Sequence, residues 1–197
     1  MSLYQKCEHK PVIIVSGLPR SGTSMMMKIL EAGGIPLLTD GIRKADSDNP
    51  SGYYEFERVK NLNEGDTDWL PDARGKAVKI ISPLLTYLPA GYDYRIIFMQ
   101  RNIREILTSQ QKMLRTRGLE TKSANDVNLS VIYEKLAKKT EMWAKNTAGV
   151  QSITMDYNRI MSDPYPQLRR LNCFFGEKLN LESMAGAVDI SLYHQRH

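Results

Sequence analysis

The apolar run Pro11-Val12-Ile13-Ile14-Val15 breaks at Ser16-Gly17-Leu18-Pro19-Arg20-Ser21-Gly22-Thr23-Ser24, and no other stretch constrains the fold as strongly. β-Branched residues in an unbroken apolar row suit a strand buried on both faces. Gly17 and Gly22 let the backbone turn tightly and come close to a ligand. Ser21, Thr23 and Ser24 open a helix whose unpaired N–H groups and positive dipole end favour an anion. Arg20 adds a permanently charged fork that can hold phosphate or sulfate oxygens through two hydrogen bonds. The stretch predicts strand, anion-binding loop and helix in succession.

The rest of the chain repeats the alternation. Met26, Ile29 and Leu30 share one face of the first helix, the Met25-Met26-Met27 run fills core, and Gly33-Gly34 ends the helix as C-caps do. A polar, turn-rich segment runs from Thr39 to Ser51, the longest irregular stretch and hence a candidate functional loop. Gly52-Tyr53-Tyr54-Glu55-Phe56-Glu57 leads from it into a short helical pattern through Val59 and Leu62. Further strands are expected at Ala77–Ser82, stopped by Pro83, at Tyr94–Gln100, and at Val150–Met155. Helices are expected after Arg101, with Ile103, Ile106, Leu107 and Leu114 on the apolar face, and from about Asp126 to Lys145, carrying Leu129, Ile132, Leu136 and Trp143. The last begins at Asp163-Pro164, read as a cap and a first-position proline, and carries Leu168, Leu171, Phe174 and Phe175. Strands alternating with helices imply an α/β fold of three layers, a central parallel sheet covered by helices on both faces. Ligands of such folds bind beyond the carboxyl ends of the strands, where the Gly17 loop and Arg101 both fall.

Length and composition narrow the function. A chain of 197 residues suits one buried domain better than two, so residues 1–197 are expected to form a single domain. No apolar run approaches the roughly 20 residues that a membrane helix needs, and Met1 to Lys10 is polar, so a cytoplasmic protein with no membrane partner is expected. The net charge of +5 suits a polyanionic cofactor, and without a basic stripe interleaved with aromatics no nucleic-acid partner is expected. Cys7 and Cys173 form no disulfide or metal pattern, and Cys173 is expected to pack in an apolar helical face.

Laid on the Walker pattern G-x-x-x-x-G-K-[ST], the loop fits from Gly17 to Ser24 except that Thr23 replaces the nucleotide-binding Lys. The cation has moved to Arg20, and Pro19 to Ser24 resembles the 5′-phosphosulfate loop Pro-(Lys/Arg)-Ser-Gly-Thr-(Thr/Ser) of sulfotransferases that use 3′-phosphoadenosine 5′-phosphosulfate (PAPS). Arg101-Asn102-Ile103-Arg104-Glu105-Ile106-Leu107-Thr108-Ser109 is similar to that family's 3′-phosphate motif, with Ile103 where the family often has Pro. Met155-Asp156-Tyr157-Asn158-Arg159, followed by Asp163-Pro164 and Phe174-Phe175-Gly176, resembles a third family element, with Asn158-Arg159 in place of its acidic pair. The three elements keep the family's order over about residues 11–176. The family's C-terminal Gly-rich basic motif has no counterpart, and Arg196 is the one candidate to stand in for it.

The resemblance implies a bacterial-type P-loop sulfotransferase that moves a sulfuryl group from PAPS to a hydroxyl or amine, releasing adenosine 3′,5′-bisphosphate (PAP), with no metal required. It assigns the 5′-phosphosulfate to Arg20, Ser21, Gly22, Thr23 and Ser24, the 3′-phosphate to Arg101 and Ser109, and the adenine to Tyr157. Lys79-Ile80-Ile81-Ser82-Pro83 resembles the Lys-x-His-x-Pro motif of the cytosolic enzymes with Ile81 in the His position, and the only histidines are His9, His194 and His197. Branches that use a Glu after the first helix fit better, which makes Glu55 the candidate base with Glu57 second. If that piece is extended, the two carboxylates share a face and Phe56 points away. Lys79 either assists electrostatically or lines a strand edge. The acceptor, small molecule or glycan, is unnamed by the sequence; Tyr53, Tyr54, Phe56 and Trp69 either line its pocket or pack in the core, and a homodimer stays open. The competing functions are a P-loop kinase or NTPase, which would want a Lys at position 23 and use Asp156 for Mg²⁺, and a nucleotide-binding module without catalysis.

Overall fold

The computed structural model describes residues 10–43, 52–116, 118 and 126–189. Strand β1 is Val12–Gly17, and its burial throughout follows from its central place in a four-stranded sheet of order β2-β1-β3-β4. β2 is Ala77–Lys79, β3 Tyr94–Gln100 and β4 Val150–Asp156, and every pairing is parallel. Register runs from Val12 opposite Tyr94 to Gly17 opposite Met99, and from Tyr94 opposite Val150 to Gln100 opposite Asp156. The strands therefore end together, and loops from β1, β3 and β4 open on one rim.

Alternation along the strands divides the core in two. Ile13, Val15, Ile97 and Met99 pack on Met26, Met27, Ile29 and Leu30 of α1 (Thr23–Ala32). Val12, Ile14, Ile96 and Phe98 pack on the opposite face against Trp69, Leu70 and Leu85. The first layer is completed by α4 (Tyr157–Ser162), α5 (Pro164–Phe174) and α6 (Leu181–Gly186), and α3 (Asp126–Asn146) adds Ala144 to the second. Helix α2 (Ile103–Thr116) leaves β3 and packs against α3. The three-layer α/β arrangement with its parallel sheet is as the sequence predicts. No helix among the described residues is long and apolar enough to cross a membrane.

Four local expectations need correction. Strand β2 stops at Lys79, because Ser82–Tyr87 is a 3₁₀ helix with Pro83 in its first turn; Ile80 N still donates to Val15 O at 3.0 Å. Asp163 flanks α5 without a side-chain capping bond, while Asp156 caps α4 by accepting from Arg159 N at 3.0 Å. Ile132 is 57% exposed, since α3 covers the sheet mainly near its carboxyl end, where Thr140 and Ala144 are buried. Cys173 is exposed: the buried stripe of α5 is Gln167, Leu168 and Leu171, and two residues beyond Leu171 a helix has turned to its far side.

Candidate active site at the carboxyl ends of the strands

The loop from Leu18 to Gly22 turns because Ser21 N donates to Leu18 O at 3.2 Å and Arg20 takes a left-handed backbone, φ +69°. Gly22 begins α1 at φ +95° with no side-chain cap, so the first amides of the helix keep their capacity to meet an anion. The space around the two loop glycines is spent on close approach. A Cβ on Gly17 would stand 2.5 Å from Ser21 Oγ and 2.8 Å from Met99 O, and one on Gly22 would stand 2.4 Å from Cδ2 of Tyr157. Ser21 Oγ is buried and has no hydrogen-bond partner among the described residues. Leaving such a hydroxyl unpaired costs roughly 1–3 kcal/mol, which an anion's oxygen in the loop would recover. Loop, helix end and orphaned hydroxyl all fit a phosphate or sulfate group.

Three distant pieces of chain meet at this loop. Arg20 Nε donates to Ser109 Oγ at 2.9 Å, joining the loop to the second turn of α2. Arg101, at the end of β3, donates from Nη1 to Arg20 O at 3.2 Å and from Nε to Glu105 Oε2 at 2.9 Å. Its guanidinium lies 4.3 Å from the centre of the Tyr157 ring, a cation–π contact that orients both. Asn158 Nδ2 donates to the other oxygen of Glu105 at 2.8 Å, tying the start of α4 to α2. Arg20, Arg101, Ser109 and Tyr157 therefore form one contiguous surface, with Arg20 held by the Ser109 hydroxyl and Arg101 by a backbone carbonyl and a carboxylate.

A second group lies on the β2 side. Lys79, the last residue of β2, has a side chain only 10% exposed; its Nζ donates to Tyr53 O and stands 3.7 Å from Glu55 Oε1. Tyr53 O also accepts from Ser24 Oγ at 3.5 Å, so one carbonyl links this group to the first turn of α1. Arg43 Nη1 donates to Glu55 Oε1 at 2.9 Å, and its guanidinium lies 3.3 Å above the Tyr53 ring. The Lys79 ammonium is pushed down to about 8, chiefly by burial, with Glu55 opposing the shift and Arg43 adding to it. Glu57 differs from Glu55: it opens the 3₁₀ segment Glu57–Glu64, and its carboxylate takes Lys60 at 2.7 Å. The two carboxylates therefore meet different partners, Arg43 and Lys79 at Glu55 and Lys60 at Glu57.

Residues 10–195 match the family model described as a sulfotransferase domain. The chain belongs to that family. Membership makes sulfuryl transfer the chemistry supported for it, and the protein a transferase. Its fold is similar to that of the sulfotransferase domain from the Synechococcus PCC 7002 olefin synthase, at 14% identity and a TM-score of 0.55, with 95% of this chain and 82% of that one covered. It is also similar to the sulfotransferase STF1 from Mycobacterium tuberculosis H37Rv, at 16% identity and a TM-score of 0.59, with 94% and 72% covered. No curated protein matches the chain.

Within this sulfotransferase domain the residues singled out in the sequence fall into two neighbouring groups. Arg20, Ser21, Gly22, Thr23, Ser24, Arg101, Ser109 and Tyr157 are on or beside the loop, and Glu55 and Lys79 are joined to it through Tyr53 O. Trp69 is core: 2% exposed, edge-on to Phe56 at 5.6 Å, its Nε1 bonded to Asp66 O. His9, His194, His197, Cys7, Arg196 and the segment Asn49-Pro50-Ser51 lie outside the described residues. Sequence reasoning missed Arg43, Glu105 and Asn158. Glu105 was legible in principle, being four residues after Arg101 on a helix; Arg43 meets Glu55 only through the path of an irregular segment.

Proposed function

We propose that the protein transfers a sulfuryl group from PAPS to a hydroxyl or amine of a small-molecule or glycan acceptor. The observation that carries this reading is the convergence of two arginines, a serine and a tyrosine from β1, β3, α2 and α4 on an uncapped helix N-terminus with a buried, unpartnered Ser21 hydroxyl. Arg20, Ser21, Gly22, Thr23 and Ser24 hold the 5′-phosphosulfate, Arg101 and Ser109 the 3′-phosphate, and Tyr157 the adenine. PAPS supplies the group transferred: the acceptor–sulfur bond forms as the bond from sulfur to the 5′-phosphate oxygen breaks, and PAP leaves with the electron pair.

The chain's own residues prepare that exchange. Glu55 takes the acceptor's proton, a step in which a positioned base contributes typically 10²–10⁴-fold. Lys79 and Arg20 present positive charge to oxygens whose negative charge grows during transfer. Asp156, the carboxylate a Mg²⁺-dependent P-loop kinase would need, is engaged in capping α4, which favours sulfuryl over phosphoryl transfer. Calorimetry with PAP and with ATP·Mg²⁺, in the native protein and in Arg101→Ala, tests the reading. Preference for PAP that the substitution abolishes is expected; preference for ATP, or binding of neither, overturns it.

A further inference from the structure

Arg43 and Lys79 compete for one carboxylate oxygen. Arg43 Nη1 holds Glu55 Oε1 at 2.9 Å, whereas Lys79 Nζ stands 3.7 Å from the same oxygen, beyond hydrogen-bond reach, and donates instead to Tyr53 O. Among the described residues Oε2 of Glu55 takes no hydrogen bond. Arg43 is itself fixed. Its guanidinium lies on the Tyr53 ring, and the chain before it is pinned to the Glu55 segment through Asp40. Asp40 N donates to Glu55 O at 3.2 Å, Asp40 Oδ2 accepts from Glu57 N at 2.5 Å, and Oδ1 accepts from Ile42 N at 3.0 Å.

This arrangement differs from a simple Lys–Glu pair. Without Arg43, a buried ammonium and a carboxylate this close would close into a hydrogen-bonded pair, since each desolvated charge is most stable when paired. A closed pair would commit the ammonium to the carboxylate and draw its N–H groups away from any other acceptor. With Arg43 on Oε1, the carboxylate keeps one oxygen for a proton, and the ammonium keeps N–H groups for another acceptor.

We propose that Arg43 is a positioning residue that occupies Oε1 of Glu55, leaves Oε2 as the proton-accepting oxygen, and keeps Lys79 from closing onto the carboxylate. The inference rests on the roles given above to Glu55 and Lys79. The experiment compares the native protein with Arg43→Gln and Arg43→Lys. It measures PAP affinity by calorimetry, kcat and KM for PAPS with 2-naphthol as acceptor, and the titration of Lys79 by NMR of ¹³C-labelled lysine side chains. The groups facing Lys79 are Glu55 and Arg43, so removing the Arg43 charge is expected to move its midpoint up from about 8.

In Arg43→Gln, kcat falls about 10- to 100-fold, as for a misplaced catalytic group, while KM and PAP affinity stay within about 2-fold of native. Arg43→Lys, which keeps the charge, restores part of kcat and returns the midpoint toward 8. An unmoved Lys79 midpoint in Arg43→Gln overturns the proposal, as does a loss of kcat matched by a loss of PAP affinity. Should the native protein bind PAP without turning over 2-naphthol, the Lys79 midpoint alone decides for or against Arg43. Failure of the native protein to bind PAP instead overturns the sulfotransferase reading and leaves the Lys79 result standing.

Discussion

At the phosphate-loop end of the site, Arg20, Arg101, Ser109 and Tyr157 stand at the ends of β1, β3 and β4 or on the helices those strands run into. At the carboxylate end, Arg43 and Glu55 stand on irregular chain, and only Lys79 is on a strand. The first group is therefore positioned by the sheet itself: strands in register deliver their last residues to one rim, and hydrogen bonds such as Arg101 to Arg20 O lock them there. The second is positioned by its own charges, with Arg43, Lys79 and Asp40 clamping a segment that has no ladder to hold it. A nucleotide's phosphates are the same for every acceptor, and a rigid frame suits them. Acceptors differ, and a segment held by a few ion pairs can be rebuilt without disturbing the sheet.

Substitutions that strike one end and spare the other test this division. The largest effect is expected from Glu55→Gln, which removes the proposed base and leaves every bond of the loop intact. PAP release from PAPS should fall by about 10²–10⁴-fold, with calorimetric PAP affinity unchanged; equal losses in both would show that the two ends are not separable. Arg101→Ala should do the reverse, weakening PAP binding by roughly 10- to 100-fold, the worth of a charge-assisted hydrogen bond. A variant that binds PAP as tightly as the native protein removes Arg101 from the phosphate end.

Lys79→Met sharpens the comparison through stability. The folded-state midpoint of Lys79, about 8, is below the roughly 10.4 of an unfolded lysine. The unfolded chain thus binds more protons between these values, and stability rises with pH across that window. Below pH 8 the buried ammonium is a cost, so Lys79→Met should stabilise the fold at pH 7 by on the order of 1–3 kcal/mol, with the gain shrinking toward pH 10.5. Thermal melts of both proteins at pH 7 and 10 check it, and a destabilised variant at pH 7 would mean that the bond to Tyr53 O outweighs desolvation. The smallest effect is expected from Asn158→Ala, which removes the bond to Glu105 and the long acceptor bond from Asn102 N and should weaken PAP binding by about 2- to 10-fold without altering kcat.

The unequal legibility of the two ends has the same origin. Strands rich in Val and Ile announced the sheet, and a motif that must cradle an anion has few alternatives, so Arg20 to Ser24 could be named from the loop's own chemistry, and Arg101 and Ser109 from the resemblance of their segment to the family's motif. Where the reading failed, a three-dimensional choice decided. Pro83 turned a long apolar run into three residues of strand and a 3₁₀ helix, and the roll of α5 sent Cys173 outward although Leu171, Phe174 and Phe175 beside it are apolar. Asn158-Arg159, in place of an acidic pair, left the local bonding open in the sequence; in the fold Asn158 supplies the link to Glu105. Arg43 left no signal because neither helical nor strand periodicity relates it to Glu55. Its partner depends on a turn that Asp40 sets.

Gly22 and Tyr157 lie so close that no side chain fits between them. The turn into α1 and the start of α4 thus bear on each other like the two halves of a jaw, with helix amides on one side and an aromatic ring on the other. Neither half has room to approach the other further, so the position of the loop also sets that of the ring beside it. Position 22 prescribes a distance as much as a turn.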